Sequence, residues 1–164
     1  MVRSAEKFVS KIASKPMRER GVTGDDVLDC AAALERHSTH PLAAAITAGA
    51  LRREAGTPGA DGATERVDAA ERAATTEPPI AVDVRERAGT GLTGTVGGTA
   101  IAVGSPRNLD PGDLRDEVHR LEADGNTVVV VHRDGEPAGI IAVRDELRPE
   151  AAETVAALER AGIG

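Results

Sequence analysis

Glu35 and His40 stand five residues apart in the run Glu35-Arg36-His37-Ser38-Thr39-His40-Pro41-Leu42. A carboxylate only accepts hydrogen bonds, which suits an exocyclic amino group such as that of adenine. A planar imidazole can stack on a base or donate to a phosphate oxygen. Glu35 lies seven residues after Leu28 and four after Ala31, so it borders an apolar helix face instead of pointing fully to water. Pro41 pushes the backbone of His40 away from the helical region. An acid and an imidazole would then meet at a corner between two helices. On spacing alone, a corner of solvated polar residues is the simpler account.

Three further segments are candidates. Gly89-Thr90-Gly91-Leu92-Thr93-Gly94 matches G-x-G-x-x-G. A dinucleotide fingerprint needs a helix after it, and here strand patterns lie on both sides, so the Rossmann reading fails. Paired glycines still let a ligand approach the backbone closely, although strand-end turns explain them equally well. Val103-Gly104-Ser105 by itself is a turn. Asp145-Glu146-Leu147-Arg148-Pro149 reads as an acidic helix start. Cys30, His37 and His40 do not make a structural zinc spacing, and no metal site is expected. Neither a G-x-S-x-G elbow nor a Walker A motif is present.

The elements that must position these residues follow from periodicity. Asp25 or Asp26 can cap a helix whose apolar face is Val27, Leu28, Ala31 and Leu34. Pro41 suits the first position of a second helix, striped by Leu42, Ala45, Ile46 and Gly49 and running to about Glu54. Residues 55–79 are rich in Gly, Ala, Thr, Pro and charge and read as a surface insertion, with a short helix near 66–73. From Ile80 the period becomes two. Leu92–Val96 and Thr99–Val103 form a hairpin about Gly97-Gly98. A helix is expected over Asp113–Ala123, stopped by Gly125, then a hairpin of Thr127–His132 and Gly139–Val143, then a helix over Glu150–Arg160.

Composition narrows the classes. The chain has 164 residues, 40% hydrophobic and 29% charged, which fits a globular protein. Its net charge of −7 disfavours a nucleic-acid partner. Phe8 is the single aromatic of the Phe, Tyr and Trp set, so base-stacking platforms and sugar shelves built on those aromatics are excluded. The acidic, Arg-rich, Lys-poor bias fits a high-GC genome or a halophilic host. One cysteine, Cys30, rules out an intrachain disulfide framework and suits a reducing interior. The longest uncharged run, 88–106, is studded with glycines and reads as turns and strands, not a membrane span. Residues 1–20 lack the apolar segment of a signal peptide.

Taken in order, these segments resemble one family. Leu34-Glu35, Ser38, His40-Pro41-Leu42-Ala43 and Ile46 resemble the "SEHPLA" motif of heavy-metal-transporting P-type ATPases of the copper and zinc type. Residues 77–103 look like that family's strand, Gly-x-Gly and closing Val-Gly. Residues 125–151 resemble its passage from nucleotide-binding into phosphorylation domain. The resemblance covers about residues 25–163.

It implies an α+β fold, an antiparallel sheet flanked by helices, with a C-terminal strand and helix entering a haloacid-dehalogenase-like domain. The implied boundaries are a lead-in over 1–22, a nucleotide-binding domain over 23–143 and the start of a phosphorylation domain over 144–164. The implied ligand is ATP, with Mg2+ accompanying it in the intact pump. Glu35 falls on the adenine-recognising glutamate and His40 on the nucleotide-orienting histidine. Gly89 and Gly91 fall on glycines that admit ribose and phosphates, and Gly104 on a later glycine of the pocket. Asp145 and Arg148 match a D-x-x-R motif whose arginine approaches the phosphates. Two positions depart: Thr39 stands where glutamate is usual, and Ser105 where asparagine is frequent, which shortens that contact.

No Asp-Lys-Thr-Gly-Thr segment is present. The phosphorylated aspartate is therefore expected in another part of the pump, along with the actuator and membrane domains as partners. The chain is expected to work on the cytosolic face, binding ATP without turning it over. Two other readings stand beside this one: a haloacid-dehalogenase-type phosphohydrolase, which needs an Asp-x-Asp nucleophile after an early strand, and a non-catalytic docking module.

Overall fold

The computed structural model describes residues 6–14, 22–54, 79–87 and 91–146. Its centre is one six-stranded antiparallel sheet in the order β1-β6-β5-β4-β3-β2. The strands are β1 (Glu6–Ser14), β2 (Ala81–Arg87), β3 (Gly91–Val96), β4 (Thr99–Gly104), β5 (Thr127–Arg133) and β6 (Glu136–Glu146). Among the described residues three α-helices cover it: α1 (Gly24–Glu35), α2 (Pro41–Glu54) and α3 (Arg115–Ala123), the last entered through a 3-10 turn over Gly112–Leu114.

The two faces of the sheet are buried by different helices. Val129, Val131, Ile141 and Val143 point to the α1–α2 side, where they meet Leu28, Leu34 and Ile46. Val128, Val130, Ile140 and Ala142 point to the other side, against Val118 and Leu121 of α3. Alternation along a strand sends neighbours to opposite faces. A strand covered on both faces must therefore read as an unbroken apolar run, which is what Val128–Val131 is.

Helix α1 starts two or three residues earlier than its acidic pair suggests. Its N-cap is Thr23, not Asp25 or Asp26. The Thr23 hydroxyl accepts from the Asp26 amide at 3.2 Å and the Asp26 carboxylate accepts from the Thr23 amide at 2.8 Å. This reciprocal pair satisfies two amides that the first helical turn leaves without partners. Pro41 opens α2 as expected. Arg53, near the end of α2, reaches Asp29 at 2.5 Å and Asp25 at 3.0 Å on α1, clamping the two helices as an antiparallel pair.

The lead-in expected over residues 1–22 is not all lead-in. Residues 6–14 are the edge strand β1, paired along β6 from Glu6↔Glu146 to Ser14↔Gly139. A register shift between Val9 and Lys11 disturbs the period-two pattern, which hides the strand from a periodicity search. Ser10 fastens the strand by donating to the Asn126 side chain at 2.7 Å. Strand β6 likewise runs through Glu146, past the boundary expected at 143. The other edge strand, β2, also carries a register shift, between Val82 and Arg85, and Asp83 within it has φ +53°. Ile80 and Val82 are exposed there. The helices expected near 66–73 and over 150–160 lie outside the described residues.

Candidate functional site

A cleft of about 280 Å³ opens where the α1–α2 corner overhangs one end of the sheet. Because the sheet is antiparallel, the end of β2, the start of β3, the end of β4 and the start of β5 converge at this one rim. Of the residues singled out by sequence, Glu35, His40, Gly91 and Gly104 all line it. Asp145 lies on β6, its backbone opposite Lys7 of β1. Gly89 and Arg148 lie outside the described residues.

Glu35 is the last residue of α1 and is only 8% exposed. A carboxylate at a helix C-terminus faces the negative end of the helix dipole, so this position breaks a local rule. Burial pushes its carboxyl up to about 7, the charge of Glu86 on β2 pushes the same way, and a hydrogen bond from Ser38 opposes both. At neutral pH Glu35 is therefore poised between a protonated donor and an ionised acceptor.

The corner that follows is tightly bonded. The Ser38 amide donates to the Glu35 carbonyl at 2.9 Å, and the Ser38 hydroxyl accepts from the His40 amide at 3.1 Å. His40 then caps α2, its Nδ1 accepting from the Leu42 amide at 3.2 Å. An accepting Nδ1 carries no proton, so the neutral ring places its N–H at Nε2. The imidazole is held by its own helix at the edge of the cleft, with its other nitrogen left over from that cap.

Beneath the corner, the glycines are required by geometry. Gly91 has φ +107°, and a Cβ built on it would lie 2.1 Å from the Val103 carbonyl oxygen. Any side chain at 91 would collide with β4. Gly104 follows Val103 on that strand, so bare backbone forms this stretch of wall.

Four polar residues of the cleft were not singled out by sequence: Glu86, Arg87, Asn108 and Thr127. Asn108 bears on the expected shortening at Ser105. The turn after β4 brings the Asn108 side-chain nitrogen to 3.1 Å from the Ser105 hydroxyl, so an amide does stand in the cleft, three residues later than expected. The spacing Ser-x-x-Asn directly after a strand-ending glycine is the signal that marks such a turn. Among the described residues, no cluster of His, Cys, Asp and Glu could hold a metal ion. No described helix is long and apolar enough to cross a membrane.

Comparison with known proteins gives a consistent picture. A family model described as haloacid dehalogenase-like hydrolase matches residues 5–164. The chain is 47% identical over 90 residues to a protein of Mycobacterium tuberculosis named probable cation-transporting ATPase G, a match covering 55% of this chain and 12% of that protein. The described fold is similar to a zinc-transporting PIB-type ATPase in its E2.Pi state, with a TM-score of 0.71 and 27% identity over 96% of this chain and 22% of the other. It is also similar to the isolated N-domain of a copper-transporting P-type ATPase, with a TM-score of 0.54 and 29% identity over 82% of this chain and 98% of that domain.

Proposed function

The chain belongs to the haloacid dehalogenase-like hydrolase family, as the nucleotide-binding-domain region of a heavy-metal P-type ATPase, and we propose on that footing that its cleft holds ATP for transfer of the γ-phosphate to an aspartate elsewhere in the pump. The observation that carries this reading is the convergence of Glu35, His40, Gly91 and Gly104 on one cleft from three separate parts of the chain.

In this reading the base lies against the α1–α2 corner. The Glu35 carboxyl meets the exocyclic amine, and the His40 Nε2–H donates to the nucleotide or its ring stacks on the base. The wall at Gly91 and Gly104 lets ribose and phosphates pass close to the backbone. Near 280 Å³, the cleft stands at the small end of ligand sites (roughly 300–1,000 Å³), which suits a ligand whose phosphate tail extends into solvent toward another domain. The contribution of this chain to phosphoryl transfer is positioning, not bond-making. Mg2+ would arrive with the phosphates and neutralise their charge. Asp145 and Arg148 make up the D-x-x-R match, whose arginine, Arg148, would approach the phosphates near the hinge, as the resemblance implies.

The relatives name copper, zinc and unspecified cations, and this chain spans about 12% of the first of them. Transport of a heavy-metal ion, a place on the cytosolic face of the membrane, and the remaining phosphorylation, actuator and membrane domains as partners all belong to the proposed whole. An independent phosphohydrolase would need an aspartate nucleophile in its cleft, and none stands among the described lining residues.

Isothermal titration of the chain with ATP, repeated with Glu35→Ala and His40→Ala, tests the site. Both variants should bind at least about tenfold more weakly, the size of one lost charge-assisted contact. Wild-type affinity in both would remove the assignment.

A further inference from the structure

We propose that Arg87 is a phosphate-binding residue of this cleft, holding the polyphosphate of the nucleotide whose base lies against Glu35; the inference rests on the nucleotide reading above. A polyphosphate entering a protein of net charge −7 through a cleft lined by two carboxylates, Glu35 and Glu86, meets repulsion unless a cation stands on its path. Among the described lining residues, Arg87 is the only lysine or arginine.

Its place in the sheet suits the task. Arg87 ends β2 and pairs with Gly91, the residue at which β3 must be bare. Glu86 acts on Glu35 under the helix corner. Arg87, the next residue, lines the same cleft, on the rung of the ladder that holds Gly91. This gives the cleft a polarity: acids where a base presents its amine, a guanidinium where the phosphates pass.

Among the described residues the guanidinium also has no carboxylate partner. Arg53, Arg115 and Arg120 are each occupied by a carboxylate. Arg87 is exposed and makes no ion pair with a described residue. A planar fork of donors left open at the rim of a cleft matches the oxygens of a phosphate.

The test is a ligand-truncation series. Adenosine, AMP, ADP and ATP are titrated into the full chain, wild type, Arg87→Gln and Arg87→Lys, without added metal. Arg87→Gln should lower ATP affinity about tenfold while adenosine affinity stays within about twofold, and Arg87→Lys, which keeps the charge but not the fork, should recover only part of the loss. ATP binding should also depend less on salt in Arg87→Gln than in wild type. Equal losses for adenosine and ATP, or an unchanged ATP affinity, would overturn the role of Arg87 alone. A wild-type chain that binds neither adenosine nor ATP would overturn the nucleotide reading and this inference with it.

Discussion

The Nδ1 of His40 accepts a hydrogen bond from the Leu42 amide at 3.2 Å, so one imidazole both caps α2 and lines the cleft. The two roles separate by substitution. Asn at position 40 keeps a side-chain acceptor for the cap but removes the ring. His40→Asn should melt within a few tenths of a kcal/mol of wild type, whereas His40→Ala should lose about 1 kcal/mol. Both should lose ATP affinity. Chemical denaturation beside calorimetric titration checks this; a His40→Asn chain that binds ATP normally would show that the ring acts only as a cap.

Glu35 makes stability depend on pH with a definite sign. Its folded-state value of about 7 lies above the ordinary 4.5, so the folded state holds the proton more tightly than the unfolded one. The resulting stabilisation is full below about 4.5 and is lost as pH rises through about 7. Glu35→Gln, always neutral, should lack this loss. Wild type should therefore fall behind Glu35→Gln as pH is raised from 4.5 to 8, by about 3 kcal/mol at most, the difference between about 7 and 4.5 taken at roughly 1.36 kcal/mol per pH unit. Urea midpoints measured across that range supply the comparison, and parallel curves for the two proteins would contradict it.

Two glycines with positive φ should respond very differently to alanine. At Gly97, φ is +56° and a Cβ meets nothing within 4 Å, so Gly97→Ala should cost only the backbone term, about 1 kcal/mol. At Gly91 the Cβ would also strike the Val103 carbonyl, and Gly91→Ala should cost more than about 3 kcal/mol or prevent folding. Paired thermal melts decide the matter; similar costs at both positions would mean that β3 and β4 can part to admit a methyl group.

Elements with an undisturbed period and a local partner are the ones that could be read from the chain. The hairpin about Gly97-Gly98 and the stripe beginning at Pro41-Leu42 are of this kind. Strand β1 is not. Its partner β6 is more than 120 residues away, its bulge at Val9/Lys11 shifts the alternation, and Lys7 and Lys11 make it look like a solvated tail. In the cleft, Glu35, His40, Gly91 and Gly104 belong to a recognisable motif order. Glu86 and Arg87 do not: nothing local shows that the end of β2 folds beneath the α1–α2 corner. Ser38 is legible as part of the motif, but the bond its hydroxyl accepts from the His40 amide is not.

The kink at Asp83 has a protective effect. It throws the outer row of amides and carbonyls on β2 out of step, so a foreign strand laid alongside cannot zip onto it. Ile80 and Val82 can thus stay bare to water at the margin of the molecule without seeding a ribbon of stacked chains.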